Sequence, residues 1–262
     1  MELRNLLVEQ RDRIVCVTIN RPERLNAFDA DTIAEFVDVF SAYRDDPDQW
    51  CMIITGAGDR AFSTGMDVKD RARTAEEPEP PDVTGWRPAA EVMRSIHKPF
   101  IAAVNGYCVG GGWHLVADSD IVIASENASF FDTHVNIGYI SGVESAGLAF
   151  KMPLGVVMRM VMEGRRFRVT AQQAYQWGLV SEVTPPSELM AKAWEIARHI
   201  VEEAAPLAVQ GSKKAILGAL DRGLHDGLDY AWSVLPEVAR TEDLREGPRA
   251  FAEKRPPRFK GR

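Results

Sequence analysis

The 262-residue sequence predicts an α/β fold with stacked parallel strands: a larger α/β core over residues 1–200 and a smaller helical region over 201–262. Short apolar runs at 51–56, 100–104 and 121–124 have the make-up of strands buried on both faces. Between them the order strand, loop, helix, strand repeats, which favours parallel pairing. Beyond about residue 145 the apolar spacing becomes almost entirely helical.

Taken in order, residues 6–9 and 14–19 are β-branched runs separated by a polar turn at 10–13, and they predict a hairpin. Pro22 ends the second strand. Over 29–43, Ile33, Phe36, Val37 and Phe40 recur at helical spacing, with Asp29 or Asp31 able to cap the start. Residues 70–90 carry several prolines and charges but no apolar face, and predict a long surface loop of the kind that often serves as a lid. Three glycines at 110–112 open a helix through Leu115 to Ala117. Helical segments follow at 145–152, 155–163, 170–177, 187–204, 206–220 and 227–239. Thr170 with Gln173 forms a capping-box pattern.

Composition narrows the class of function. Hydrophobic residues at 45% and charged residues at 26% allow an ordinary globular core. A net charge of −7 argues against nucleic acid, which calls for a basic stripe, and against an anionic membrane. Cys16, Cys51 and Cys108 are an odd, scattered set without CxxC spacing, so they predict buried thiols in a reducing compartment and no metal site. The start of the sequence lacks a signal-type apolar region and no stretch is long enough to span a bilayer, so a cytoplasmic location is expected.

Two segments have the make-up of an anion-stabilising site. In Ala61-Phe62-Ser63-Thr64-Gly65-Met66-Asp67 small residues allow a sharp turn that aims N–H groups at a ligand. In Gly110-Gly111-Gly112 the missing Cβ atoms allow close approach, and the helix start adds positive potential. N–H groups from two loops can converge on one oxygen as an oxyanion hole. The run is not GxGxxG, so it carries no dinucleotide fingerprint.

These stretches, together with Asn20-Arg21-Pro22-Glu23-Arg24-Leu25-Asn26-Ala27, residues 98–106, Ala171, Tyr175, Gly178 to Val180, and residues 246–256, resemble the crotonase (enoyl-CoA hydratase/isomerase) superfamily from end to end. The resemblance implies a spiral of stacked ββα units with a helical C-terminal region used in oligomerisation, as a homotrimer or a dimer of trimers. It implies a lyase or isomerase of fatty acid metabolism acting on an acyl-CoA substrate, with coenzyme A entering as part of that substrate and no permanently bound cofactor. By motif position the oxyanion-hole donors fall on Ser63 and Gly111. Arg24, Leu25 and Ala27 with Ser63, Thr64, Gly65, Met66 and Asp67 would line the CoA channel, and Phe251 and Lys254 match CoA-contacting positions often supplied by a neighbouring subunit.

The departures concern the acid and the base. Hydratases of the superfamily carry glutamates where this sequence has His114 and His134. Imidazoles can move protons near neutral pH, so both are candidate catalytic groups. Glu144 is the nearest substitute carboxylate and joins them; its structural alternative is an acid at a helix start. Asp132 is expected to hold the adjacent loop, and Asp67 to fix the conformation of the 63–67 loop. Three functions stay open: a hydratase or isomerase, a hydrolase cleaving a C–C or thioester bond on the same scaffold, and an inactive CoA-binding homologue. The sequence leaves the acyl group unspecified, although Trp86, Trp113, Phe130, Phe131 and Tyr139 can form an aromatic wall.

Overall fold

The structure is a computed structural model that describes residues 3–67 and 85–262. Strands β1 (Leu6–Arg11) and β2 (Ile14–Ile19) form the antiparallel hairpin, and Asp12 and Arg13 turn the chain with positive φ. Helix α1 (Ala30–Asp45) begins where the Asp29 side chain accepts from the Thr32 N–H at 2.8 Å, and it buries Ile33, Phe36, Phe40 and Tyr43. These four side chains recur at helical spacing, so a single face meets the core.

From β3 onward the chain alternates between two sheets. β3 (Cys51–Gly56), β5 (Phe100–Val104) and β7 (Ile121–Ser125) run parallel beside β2. β4 (Ala61–Ser63), β6 (Tyr107–Val109) and β8 (Ser129–Phe131) pair in parallel as a second sheet. Helices α2 (Arg87–Arg94) and α3 (Trp113–Asp118) close successive pairs. This is the spiral of ββα units. Further along come α4 (Val143–Leu148), α5 (Leu154–Glu163), β9 (Val169–Thr170), α6 (Ala171–Gln176) and β10 (Glu182–Thr184). β9 adds antiparallel to β8, and β10 adds parallel to β7, so the region after 145 still extends both sheets. The capping box at Thr170 and Gln173 is present.

The larger sheet is buried on both faces, which explains its nearly unbroken apolar strands. Val15, Val17, Ile19, Met52, Ile54, Phe100, Ala102 and Val104 face the main core. Their alternating neighbours Ile14, Cys16, Cys51, Ile53, Ile101, Ala103 and Ile123 face α7 (Leu189–Glu203). That helix packs with Leu189, Ala193, Ala197 and Val201, one residue every four, and the small alanines let it approach closely. The expected boundary near residue 200 therefore lies within a helix of the core, and the helical tail begins with α8 (Pro206–Leu220), then α9 (Leu224–Val234) and α10 (Asp243–Glu253).

Most of the expected 70–90 loop lies outside the described residues. Its end is not a loop: α2 starts at Arg87, with Pro88 tolerated in the first turn and Ala89, Ala90 and Met93 buried. All three cysteines are buried and unpaired. Among the described residues no helix is long and apolar enough to cross a membrane.

Candidate active site

The first wall of the site is a braced pair of loops. Leu25 and Asn26 adopt left-handed backbone angles. The strain is offset by the Asn26 amide, which donates to the carbonyls of Ala57 at 3.0 Å and Ala61 at 2.7 Å and accepts from the Arg21 N–H. Arg21 pairs with Asp29 at 2.7 Å, donates to the Ala27 carbonyl and lies 3.8 Å from Asp67. Thr64 N donates to the Leu25 carbonyl, and Ser63 Oγ donates to the Asn26 carbonyl at 2.8 Å. The 24–27 and 63–67 segments expected to line one channel are thus one hydrogen-bonded unit, with Asp67 tied to Arg21.

The second wall is the glycine turn that leads from β6 into α3. Gly110 has φ of +51° and Gly65 has φ of +78°. A Cβ added at Gly65 would lie 2.3 Å from the Gly111 nitrogen, and one added at Gly111 would lie 3.3 Å from the Met66 nitrogen. Backbone meets backbone here, with no room for side chains. Ser63, the donor expected from motif position, ends β4 just before this turn. It is fully buried in β4, and its Oγ also accepts from the Gly65 N–H, so it supports the turn from beneath. The stretch that faces Gly111 is Gly65–Met66.

The third part is a cluster of acids and imidazoles. His114 lies in the first turn of α3, with Nε2 3.6 Å from Glu144 Oε2. His134 opens a short 3-10 turn after β8; its Nδ1 is 2.9 Å from Asp132 Oδ2 and 3.2 Å from Glu144 Oε1. The Asp132 carboxylate also accepts from the His134 backbone N–H at 2.7 Å, so it fixes both the loop and the ring. Because an ionised carboxylate only accepts, these contacts favour the tautomer with the proton on Nδ1. Ser141 Oγ joins the network, 2.9 Å from Asp132, 3.2 Å from Glu144 and 2.6 Å from Ser145 Oγ. Glu144, only 3% exposed, touches both imidazoles.

Burial sets the charges. Desolvation pushes His114 down to about 4, with the His134 and Arg94 charges adding to the effect, so its imidazole is neutral at pH 7. Desolvation raises Glu144 above the usual carboxylate range, against the pull of His134. Asp132, His134 and Glu144 also bring donor atoms within 4.8 Å of one another, a spacing a metal ion could use. His134 Nδ1 is already hydrogen-bonded to Asp132 at 2.9 Å, and Glu144 Oε1 accepts from Ser141 Oγ at 3.2 Å.

Of the aromatic residues, Trp113 and Phe130 are core: both are fully buried, and Trp113 Nε1 donates to the Phe131 carbonyl. Phe131 packs edge-on against Tyr107. Trp86 is the aromatic residue stacked on His114, at 5.6 Å and 17° between planes. Phe251 and Lys254 stand on α10 and at its end, with Phe251 88% exposed.

Residues 9–262 match the family described as enoyl-CoA hydratase/isomerase. The chain belongs to this family, within the crotonase superfamily. It is 36% identical over 258 residues to an (E)-benzylidenesuccinyl-CoA hydratase of Thauera aromatica, covering 97% of this chain and 98% of that protein. It is 39% identical over 260 residues to a carnitinyl-CoA dehydratase of Salmonella typhi, covering 95% of each. A crystal structure of an enoyl-CoA hydratase/isomerase from Mycobacterium paratuberculosis superposes with a TM-score of 0.90 at 38% identity over the whole of both chains. The enoyl-CoA hydratase of Bacillus anthracis gives 0.88 at 31%, covering 99% of this chain and all of the other. As a member of this family the chain is an enzyme.

Sequence reasoning missed several residues that build the site of this family member. Asn26 and Arg21 lock the first loop, and Ser141 joins two carboxylates. A buried polar residue inside a motif was the available signal for Asn26; Ser141 gave none beyond residue type.

Proposed function

We propose that the chain acts on an acyl-CoA thioester as a hydratase-type lyase, adding water across, or removing it to form, a double bond conjugated with the thioester carbonyl. The observation that carries this reading is the buried Glu144 carboxylate between the imidazoles of His114 and His134. The relatives named as a hydratase and a dehydratase support the same reaction class.

In this reading the thioester oxygen, as it gains enolate charge, receives two backbone N–H groups. One is from Gly111. For the other, the closeness of the Met66 nitrogen to Gly111 supports Met66 in place of Ser63. Neutral His114 takes a proton from water as its oxygen adds to Cβ, and Glu144, whose hold on a proton burial strengthens, delivers a proton to Cα; the proton on His114 then passes to Glu144, 3.6 Å away, and restores both groups. Removal of water runs the same transfers backwards. His134 and Asp132 tune Glu144 through the Nδ1 contact. Arg24, Leu25, Ala27, Thr64, Gly65 and Asp67 would border the CoA moiety, with Phe251 and Lys254 reaching it from a neighbouring subunit. Residues 201–262 would serve assembly as a homotrimer or dimer of trimers; the exposed Leu224 and Trp232 on α9 support such a contact.

A panel of α,β-unsaturated acyl-CoA esters, followed by loss of enoyl absorbance and by free thiol release, tests the proposal. Loss of absorbance without thiol release is expected. Thiol release in step with substrate loss would mark a hydrolase, and no turnover of any ester would reject the reading.

A further inference from the structure

The Trp86 indole is 5% exposed, and its Nε1 has no hydrogen-bond partner among the described residues. His114 Nδ1, on the ring stacked against it, is also buried without a partner. A buried N–H left unpaired is costly, and native structures rarely keep one without a use. Packing does not require the indole nitrogen. Trp86 stacks on Phe28 at 5.1 Å and meets Phe36 edge-on, contacts a phenyl ring would make as well.

The position of this pair connects it to the reaction. Phe28 bridges through its backbone to Met66 in the 63–67 loop, and His114 faces Glu144. Trp86 therefore stands between Phe28, whose backbone pairs with the proposed oxyanion loop, and His114 of the acid–base cluster, on the side where the acyl-CoA reading would put the acyl group beyond the reacting carbons. Resting on the acyl-CoA reading above, we propose that Trp86 Nε1 and His114 Nδ1 form a polar subsite that selects acyl groups carrying a hydrogen-bond-accepting oxygen. Trp86 Nε1 can only donate, so its partner must be an acceptor. His114 Nδ1 adds a second polar contact whose sense follows the ring's tautomer. A site built to hydrogen-bond a substrate oxygen discriminates strongly against the analogue that lacks it.

The test measures dissociation constants of saturated, unreactive esters: valeryl-CoA, glutaryl-CoA with a terminal carboxylate, and levulinyl-CoA with a ketone. The wild type is expected to bind at least one oxygenated ester about tenfold or more tighter than valeryl-CoA. In Trp86→Phe, which keeps the stack and removes the N–H, that ratio falls towards one. The outcome distinguishes carboxylate from carbonyl as the preferred acceptor. Binding of all three esters with equal affinity by the wild type overturns the subsite and leaves the acyl-CoA reading standing, as does the same ratio in Trp86→Phe. Failure of every ester to bind overturns the acyl-CoA reading itself. The wild-type ratio decides the matter even where the variant folds poorly.

Discussion

Glu144 holds the site together at the scale of single residues, because its two oxygens meet different imidazoles. Replacing it with Gln keeps the shape but removes the transferable proton, so turnover is expected to fall by roughly 10²–10⁴-fold. His114→Ala should fall in the same range. In both, affinity for valeryl-CoA, which carries no acyl-chain oxygen for the proposed subsite, should stay near the wild-type value when measured by titration, which separates chemistry from folding. The depressed His114 also predicts acid sensitivity. Its ordinary value is 6.5, and in the folded state it lies at about 4. Below pH 6.5 the unfolded chain binds a proton that the folded chain refuses. Stability is therefore lost as pH falls from 6.5 to about 4, by about 3 kcal/mol at full effect. Thermal melts across this range should show a steep acid limb in the wild type and a flatter one in His114→Gln; identical limbs would refute the assignment. The histidines were legible in the sequence because they stand in recognisable motifs. The bridging position of Glu144 was not, since it arises from three separate turns meeting in space, and Ser141 has no motif at all.

At the scale of elements, the two loops work because each is rigid and both are glycine-lined where they touch. Gly65→Ala puts a Cβ 2.3 Å from the Gly111 nitrogen at a backbone angle that disfavours side chains. We expect a lowered melting temperature together with a drop in turnover of roughly 10²-fold or more, the scale of losing one oxyanion donor. Wild-type turnover by this variant would show that the close approach has no catalytic use. The long strands and helices of this scaffold were readable from period and burial, and α1 starts where Asp29 predicts. The strands β4, β6 and β8 have three residues each, too few to display a period, and they exist because β6 pairs with β4 on one side and β8 on the other. α2 was hidden for a related reason: Pro88 and polar neighbours resemble a loop until Ala89, Ala90 and Met93 find a core to enter.

At the scale of the whole molecule, the chain leaves large apolar side chains in water. Ile140 is 87% exposed, Leu224 82%, Trp232 71% and Phe251 88%. Exposed apolar surface of this kind marks contact surfaces. Light scattering is expected to give a mass that is a multiple of the single chain, and Trp232→Glu with Leu224→Glu to shift it towards the monomer; a wild-type monomer would contradict the proposed assembly. The central claim, that Glu144 delivers a proton to the α-carbon of a bound acyl-CoA while His114 activates the water adding at Cβ, is tested most directly by mass spectrometry of α,β-unsaturated acyl-CoA esters hydrated by the protein in D2O. We predict deuterium entry at Cα with the wild type, slowed at least about 100-fold in Glu144→Gln and His114→Ala. Equal deuterium entry in all three proteins, or none with any ester, would contradict it.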